Sequence, residues 1–353
     1  MTDEPAFDLE YRPFSLPLTT PLETASGSIG SRDGFLVRIT RHSDGAVGYG
    51  EATPLPGWTE SHENCAAALE RAQRTIRTRN AREALAAVDE AVAARHGVSL
   101  ALADLEASSE STPLYRYFSP NSLVARVPVN TTIGDRSVDE SVTAARRAVD
   151  RGFGCCKLKV GRRSVDEDIE RVRRVREAVG PGVELRADAN GAWSYDEAVS
   201  AIEAFADIDV SIVEQPLPAG ALEGHAELRG NGVAIALDEG LLEHGVDAIC
   251  EAQAADVVAI KPMALGGLDI AQQVTAWIAE LDITPLVTTT IDGVVARTGA
   301  THLAASIPNL PACGLATGEL LAEDLGRDPV LLENGSAVVP QAKGLGVEGV
   351  WEE

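Results

Sequence analysis

The sequence predicts an α/β fold: a closed parallel β/α barrel carrying a small α+β module at its N-terminal end. Three observations predict it. Apolar runs recur through the second half of the chain, each closed by a charge at its C-terminal end: Lys159, Asp188, Glu214, Asp238 and Lys261. Each lies about one strand-helix-strand step after the last. Three Ser-x-x-Glu boxes, at Ser137 before the first of these charges and at Ser164 and Ser194 between them, each stand a few residues after an expected strand end. In such a box the Ser and Glu side chains reciprocally satisfy free helix-end N–H groups, so each box marks a helix start. Finally, 353 residues exceed one plain barrel of about 250 and leave room for a module of roughly 100.

Taken in order, residues 7–51 read as β structure. Runs at 35–39 and 47–51 flank Ser43-Asp44-Gly45, a turn signal, and predict a hairpin. Pro54-Leu55-Pro56-Gly57 is a rigid loop, with Trp58 after it as a lid residue. Residues 60–95 are rich in Ala and Arg at helical spacing. These features place a capping domain over residues 1–98. A helix over 100–107 leads into the barrel, residues 99–320, whose first strand is expected at 127–133. The helix opened by Ser164 sets Ile169, Val172, Val175 and Val179 on one apolar stripe and stops at Gly180-Pro181. A seventh strand is expected at 284–290, a helix at 294–306 and a short eighth strand at 313–318. Residues 321–353 lack periodicity and are expected to return towards the N-terminal module.

Hydrophobic content of 45% is ordinary for a chain with a sizeable core. The formal charge is −24, which disfavours nucleic acid phosphates and anionic lipid as partners. No apolar run approaches the roughly 18 residues of a membrane span, and residues 1–4 open no apolar signal core, so a cytoplasmic location is expected. Five cysteines without metal-ligand spacing are expected to be reduced. The acidic surface suggests adaptation to high salt, which screens the mutual repulsion of carboxylates.

Of 30 basic residues only Lys157, Lys159, Lys261 and Lys343 are lysine, and three of these four sit at expected strand ends. Arginine stays charged, whereas lysine can act as a base. In a barrel the working residues lie at the C-terminal ends of the strands. Asp188, Glu214 and Asp238 therefore converge on one mouth as three hard oxygen donors, a set that suits Mg²⁺, with Mn²⁺ as the alternative. None of the six histidines stands at a strand end, which argues against zinc and against a histidine base. The blander readings, snorkelling lysines and acids that merely cap helices, suit single residues better than a set in register. Lys159 and Lys261 flank the metal position, and Lys157 points the same way as Lys159. A nearby ammonium and a metal both disfavour a charged amine, and a neutral amine can take a proton. The expected substrate is a small-molecule carboxylate whose α-proton is weakly acidic until its oxygens meet the metal.

Lys-x-Lys, Asp-Ala-Asn, Val-Glu-Gln-Pro, Leu-Asp-Glu and Ile-Lys-Pro, in that order, resemble the enolase superfamily, muconate-lactonising subgroup, over nearly the whole chain. A lysine base working with Mg²⁺ is a known pattern of that superfamily. The resemblance implies a modified (β/α)7β barrel. Arg32-Asp33-Gly34, Gly48-Tyr49-Gly50-Glu51 with Pro54-Leu55-Pro56-Gly57, and Gly314-Leu315-Ala316-Thr317-Gly318 are similar to the o-succinylbenzoate synthase family. That likeness implies a menaquinone-pathway lyase dehydrating 2-succinyl-6-hydroxy-2,4-cyclohexadiene-1-carboxylate. It implies Lys159 as the base, Lys261 as the opposing cation, and Asn190 and Glu239 as groups that orient the metal ligands. It further implies substrate contacts at Arg32, Thr289 and Gly314, with Ser28, Ser31 and Arg32 in a closing loop. The rival is a dipeptide epimerase or N-succinylamino acid racemase with both lysines as bases. Dipeptide epimerases of this kind usually carry Asp-x-Asp near the last strand, absent from residues 312–320. Muconate cycloisomerase fits the Pro-Leu-Pro-Gly loop less well, and mandelate-racemase chemistry lacks its strand-seven histidine. A silent carboxylate-binding protein would have lost a ligand or Lys159. A homo-oligomer is left open.

Overall fold

The computed structural model describes residues 6–24 and 27–351, so the acidic residues 1–4 lie outside the described residues. The chain opens on an antiparallel sheet of Phe7–Thr24, Gly27–Arg41 and Ala46–Ala52. The expected hairpin turn is present: Gly45 takes φ 71°, a conformation glycine adopts without penalty, and its N–H donates to Arg41 O at 2.9 Å. The first two strands form a far longer hairpin than the sequence suggests. Ser31 and Arg32 are therefore strand residues, and the expected closing loop at Ser28–Arg32 is corrected.

Helices His62–Thr78, Ala81–Ala86 and Val92–Ser109 cover one face of this sheet. Gly48 and Gly50 explain how closely. A Cβ on Gly50 would stand 1.9 Å from Gly97 O, and one on Gly48 would stand 2.0 Å from Ala101 O. The strand therefore lies directly on the backbone of Val92–Ser109. That helix crosses the expected boundary at 98/99. Its Val98, Ala101 and Leu105 pack in the core of the N-terminal module, while Leu100 packs in the barrel core.

Seven parallel strands follow: Thr131–Ile133, Cys155–Lys159, Glu184–Asp188, Val210–Glu214, Ala234–Leu237, Val257–Ile260 and Thr284–Val287, paired in sequence order. Closure comes from single bridges, Val129 to Cys313 and Thr288 to Gly314. The expected eighth strand is thus reduced to Cys313 and Gly314, and Gly318–Leu320 is a 3-10 turn. The first strand expected over 127–133 is two pieces. Arg126–Pro128 pairs antiparallel with Ser336–Val338, and only Thr131–Ile133 joins the barrel. All three capping boxes form. Ile169, Val172 and Val175 are buried as predicted, and helix Val294–Ser306 has the expected bounds.

Side chains alternate along a strand, so Ile212, Ala236 and Val257 lie on the same face as Glu214, Asp238 and Lys261. With Leu286 they form a small apolar cluster beneath the mouth. After Gly318–Leu320 the chain returns to the N-terminal sheet. Ala322 N donates to Pro17 O at 2.8 Å. Trp351 lies under the Arg12 and Arg38 guanidiniums, 5.0 and 4.5 Å from its ring.

Candidate active site

Five consecutive barrel strands deliver the charged residues to one end. Lys159, Asp188 and Glu214 are the last residues of their strands; Asp238 and Lys261 immediately follow theirs. Asp188, Glu214 and Asp238 are almost wholly buried. Lys157 Nζ sits between two of them, 2.9 Å from Asp188 Oδ2 and 3.0 Å from both Glu214 oxygens. Lys159 Nζ is 2.7 Å from Asp188 Oδ2, and Lys261 Nζ is 2.6 Å from Asp238 Oδ2. Three carboxylates so close repel one another, and the lysines supply the balancing charge.

The electrostatics follow. Burial works against ionisation of Asp188, yet Lys157 and Lys159 hold it well below the usual carboxylate range. Burial and then the charge of Asp188 push Glu214 up to about 7. Burial also raises Asp238, against the pull of Lys261. Lys157 is raised: desolvation disfavours its ammonium, but Asp188 and Glu214 outweigh it.

Asn190 and Glu239 fall where they were expected. Asn190 holds φ 45°, which asparagine tolerates. Its Oδ1 accepts from Lys159 at 2.7 Å, its Nδ2 donates to Glu239 Oε1 at 3.0 Å, and its N–H donates to Asp188 Oδ1 at 3.2 Å. One residue thus orders a lysine and two acids, Lys159 and Glu239 through its side chain and Asp188 through its backbone. Gln215, quoted in the Val-Glu-Gln-Pro motif but given no role there, does similar work. Fully buried, its Oε1 accepts from Asp238 N and Gly240 N at 3.1 and 3.0 Å, fixing the turn that aims Asp238. A polar residue between a strand-end acid and a proline was the available signal.

Trp58 does reach the mouth: Lys261 Nζ lies 3.5 Å from its ring centroid, a cation–π contact. Thr289 is also there, its hydroxyl 2.9 Å from that of Thr317, a partner the sequence reading missed. Two residues expected to contact substrate, Arg32 and Gly314, are engaged by their own protein neighbours. Arg32 is buried, and its nitrogens are spent on carbonyls of Ile291, Pro54 and Thr53. Gly314 closes the barrel: its N–H donates to Val287 O at 2.9 Å and its O accepts from Thr288 Oγ1 at 3.1 Å. A Cβ there would stand 2.3 Å from Thr288 Oγ1, so glycine is needed for close approach rather than for a ligand.

The donor set suits a hard divalent ion. Asp238 Oδ1 and Glu239 Oε2 are buried without a partner, an expensive state that a cation would relieve. Among the described residues no three acids already stand within reach of one ion. The lysine ammoniums hold the carboxylates instead.

A model of the enolase C-terminal domain-like family matches residues 140–353. The chain belongs to the enolase superfamily. The muconate-lactonising subgroup expected from the motifs is borne out, and the protein is an enzyme of that superfamily. A MenC N-terminal domain model matches residues 9–105. The L-Ala-D/L-Glu epimerase of Bacillus subtilis is 27% identical over 97% of this chain and 96% of its own. The o-succinylbenzoate synthase of Thermobifida fusca is 37% identical over 59% of this chain and 65% of its own. A dipeptide epimerase of Enterococcus faecalis, complexed with Mg and L-Leu-L-Tyr, superposes with a TM-score of 0.87 at 28% identity, covering 96% of this chain and 98% of that one. No helix among the described residues is long and apolar enough to cross a membrane.

Proposed function

We propose that the protein is an o-succinylbenzoate synthase, a Mg²⁺-dependent hydro-lyase of menaquinone biosynthesis acting in the cytoplasm. It would convert 2-succinyl-6-hydroxy-2,4-cyclohexadiene-1-carboxylate to 2-succinylbenzoate and water. The observation that carries this over an epimerase is the turn at the last barrel strand, beyond helix Val294–Ser306. Residues 313–318 contain no acid, and Glu319, the first to follow, is exposed and paired with Arg151 at 3.2 Å. A dipeptide ammonium finds no counter-charge on this turn, whereas an uncharged ring needs none. The MenC N-terminal match over residues 9–105 supports the same reading.

Asp188, Glu214 and Asp238 would hold the metal, ordered by Asn190, Glu239 and Gln215. When bound, the ion offsets the charge of the enediolate. Lys159 Nζ takes the α-proton as the C–H bond breaks. The C–O bond then breaks on the same face, and the proton on Lys159 leaves with the hydroxide as water. Lys261, four strands round the barrel, contributes positive charge from the other side and is seated by Trp58. Thr289 and Thr317 offer hydroxyls to the substrate.

The rival reading is epimerisation with both lysines as bases, favoured by full-length similarity to dipeptide epimerases. Incubation with the cyclohexadiene acid and Mg²⁺ in high salt distinguishes them. Rapid loss of diene absorbance supports the synthase. Absence of turnover, with α-proton exchange of a dipeptide in D₂O, would replace it with the epimerase.

A further inference from the structure

Glu51 is the next-to-last residue of strand Ala46–Ala52 in the N-terminal sheet and is fully buried, yet its side-chain partners lie mainly in the barrel. Its Oε1 accepts from Gly293 N at 2.7 Å and its Oε2 from Ala296 N at 2.9 Å. Thr53 Oγ1 adds a hydrogen bond at 2.6 Å. Gly293 is the N-cap of helix Val294–Ser306 and has no side chain to satisfy the free N–H groups there. A carboxylate from the other module does so, and it also meets the positive end of the helix dipole. A Cβ on Gly293 would stand 2.9 Å from Glu51 Oε2, so the cap requires glycine at that place.

Arg32 completes the junction. It donates to Thr53 O at 2.9 Å, Pro54 O at 3.2 Å and Ile291 O at 3.2 Å. Ile291 holds φ 62°, a strained conformation for a β-branched residue that persists only where neighbours enforce it. Both edges of the mouth are thereby joined. One is the loop after Glu51, ending in Trp58 on Lys261; the other is the turn carrying Thr289. Burial, and then the charge of Asp292, push the Glu51 carboxyl up to about 7. A buried acid is costly, and its bonds across the junction are what offset that cost.

We propose that Glu51 is a positioning residue for proton abstraction: by capping Val294–Ser306 from the N-terminal sheet it locks the loop of residues 53–58 to the turn of residues 289–293, and so seats Trp58 on Lys261. Only the kinetic half of its test rests on the synthase reading. Full-length Mg²⁺-loaded enzyme is compared with Glu51→Gln, Trp58→Phe and the double variant. Trp58 emission is taken as the difference between each protein and its Trp58→Phe counterpart. Glu51→Gln keeps the wild-type far-ultraviolet circular dichroism, shifts Trp58 emission to the red, and lowers kcat/KM about tenfold, mainly through kcat. Because Glu51 acts through Trp58, the double variant is no worse than the worse single variant. Unchanged Trp58 emission, or losses that multiply in the double variant, overturns the proposal. Should Glu51→Gln not fold, Arg32→Lys, which shortens the other half of the junction, enters the same cycle with the same expected and overturning results. A wild-type enzyme that leaves the cyclohexadiene acid untouched refutes the synthase reading, while the emission comparison still decides the role of Glu51.

Discussion

Replacing Lys157 by methionine separates charge balance from catalysis at the mouth. The ammonium lies 2.9 Å from Asp188 and 3.0 Å from both oxygens of Glu214, whose side chains are 1% and 6% exposed. Methionine fills the volume but leaves two buried carboxylates short of a cation. Breaking a buried ion pair from one side costs roughly 3–5 kcal/mol. Glu214, already raised to about 7, can escape part of that by taking a proton. The loss without metal is therefore placed at the lower end, about 3 kcal/mol. A divalent ion held by the same acids replaces the missing charge. Magnesium at about a hundred times its dissociation constant contributes about 2.7 kcal/mol to the native state. Urea melts at pH 7.5 and fixed salt, first with a chelator and then with Mg²⁺, measure both quantities. The gap between wild type and Lys157→Met is expected near 3 kcal/mol in chelator and to shrink with Mg²⁺. A gap below about 1 kcal/mol, or one indifferent to Mg²⁺, refutes the charge-balance reasoning.

Three further predictions concern the scaffold. Gly50→Ala forces a methyl to within 1.9 Å of Gly97 O, so a loss of about 3 kcal/mol or more is expected in a thermal melt, while Gly48→Ala behaves alike; a loss under 1 kcal/mol would deny the close packing of strand on helix. Burial raises Asp104 from 3.8 to about 6 although Tyr49 N and Leu345 N donate to it. Its raised value gives stability fully present below pH 3.8 and lost as pH rises through 6, at most about 3 kcal/mol. Asp104→Asn lacks that dependence, so the stability difference from wild type changes between pH 4 and 7; a constant difference contradicts the assignment. With a net charge of −24, the melting temperature rises from low to multimolar KCl, and a flat profile counts against salt adaptation.

What was legible in the sequence is local. The three capping boxes need only residues three apart, and all form. Strand-end charges announce themselves because the run before each is apolar. What escaped depends on partners far along the chain. Nothing in residues 127–133 says that Arg126–Pro128 will pair with Ser336–Val338, so one strand was expected where two form. Arg32 and Gly314 stand in motifs beside the mouth, but their backbone partners at Ile291, Thr53, Pro54 and Val287 give them structural duties. Glu51 stands within a loop motif, and its task is visible only with Gly293 and Ala296 beside it. Gln215 is the nearest miss, since its neighbours in sequence include the acid it follows but not Asp238, whose turn it fixes.

The most direct test of the account is turnover of the cyclohexadiene acid by wild type, by Lys159→Ala and by wild type in chelator, with Mg²⁺ uptake of the variant followed by calorimetry. Lys159→Ala still takes up Mg²⁺ but loses at least about a thousandfold in kcat, as expected for removal of the group that moves the proton, and chelator abolishes turnover. Turnover by Lys159→Ala within tenfold of wild type, or turnover indifferent to chelator, would contradict it.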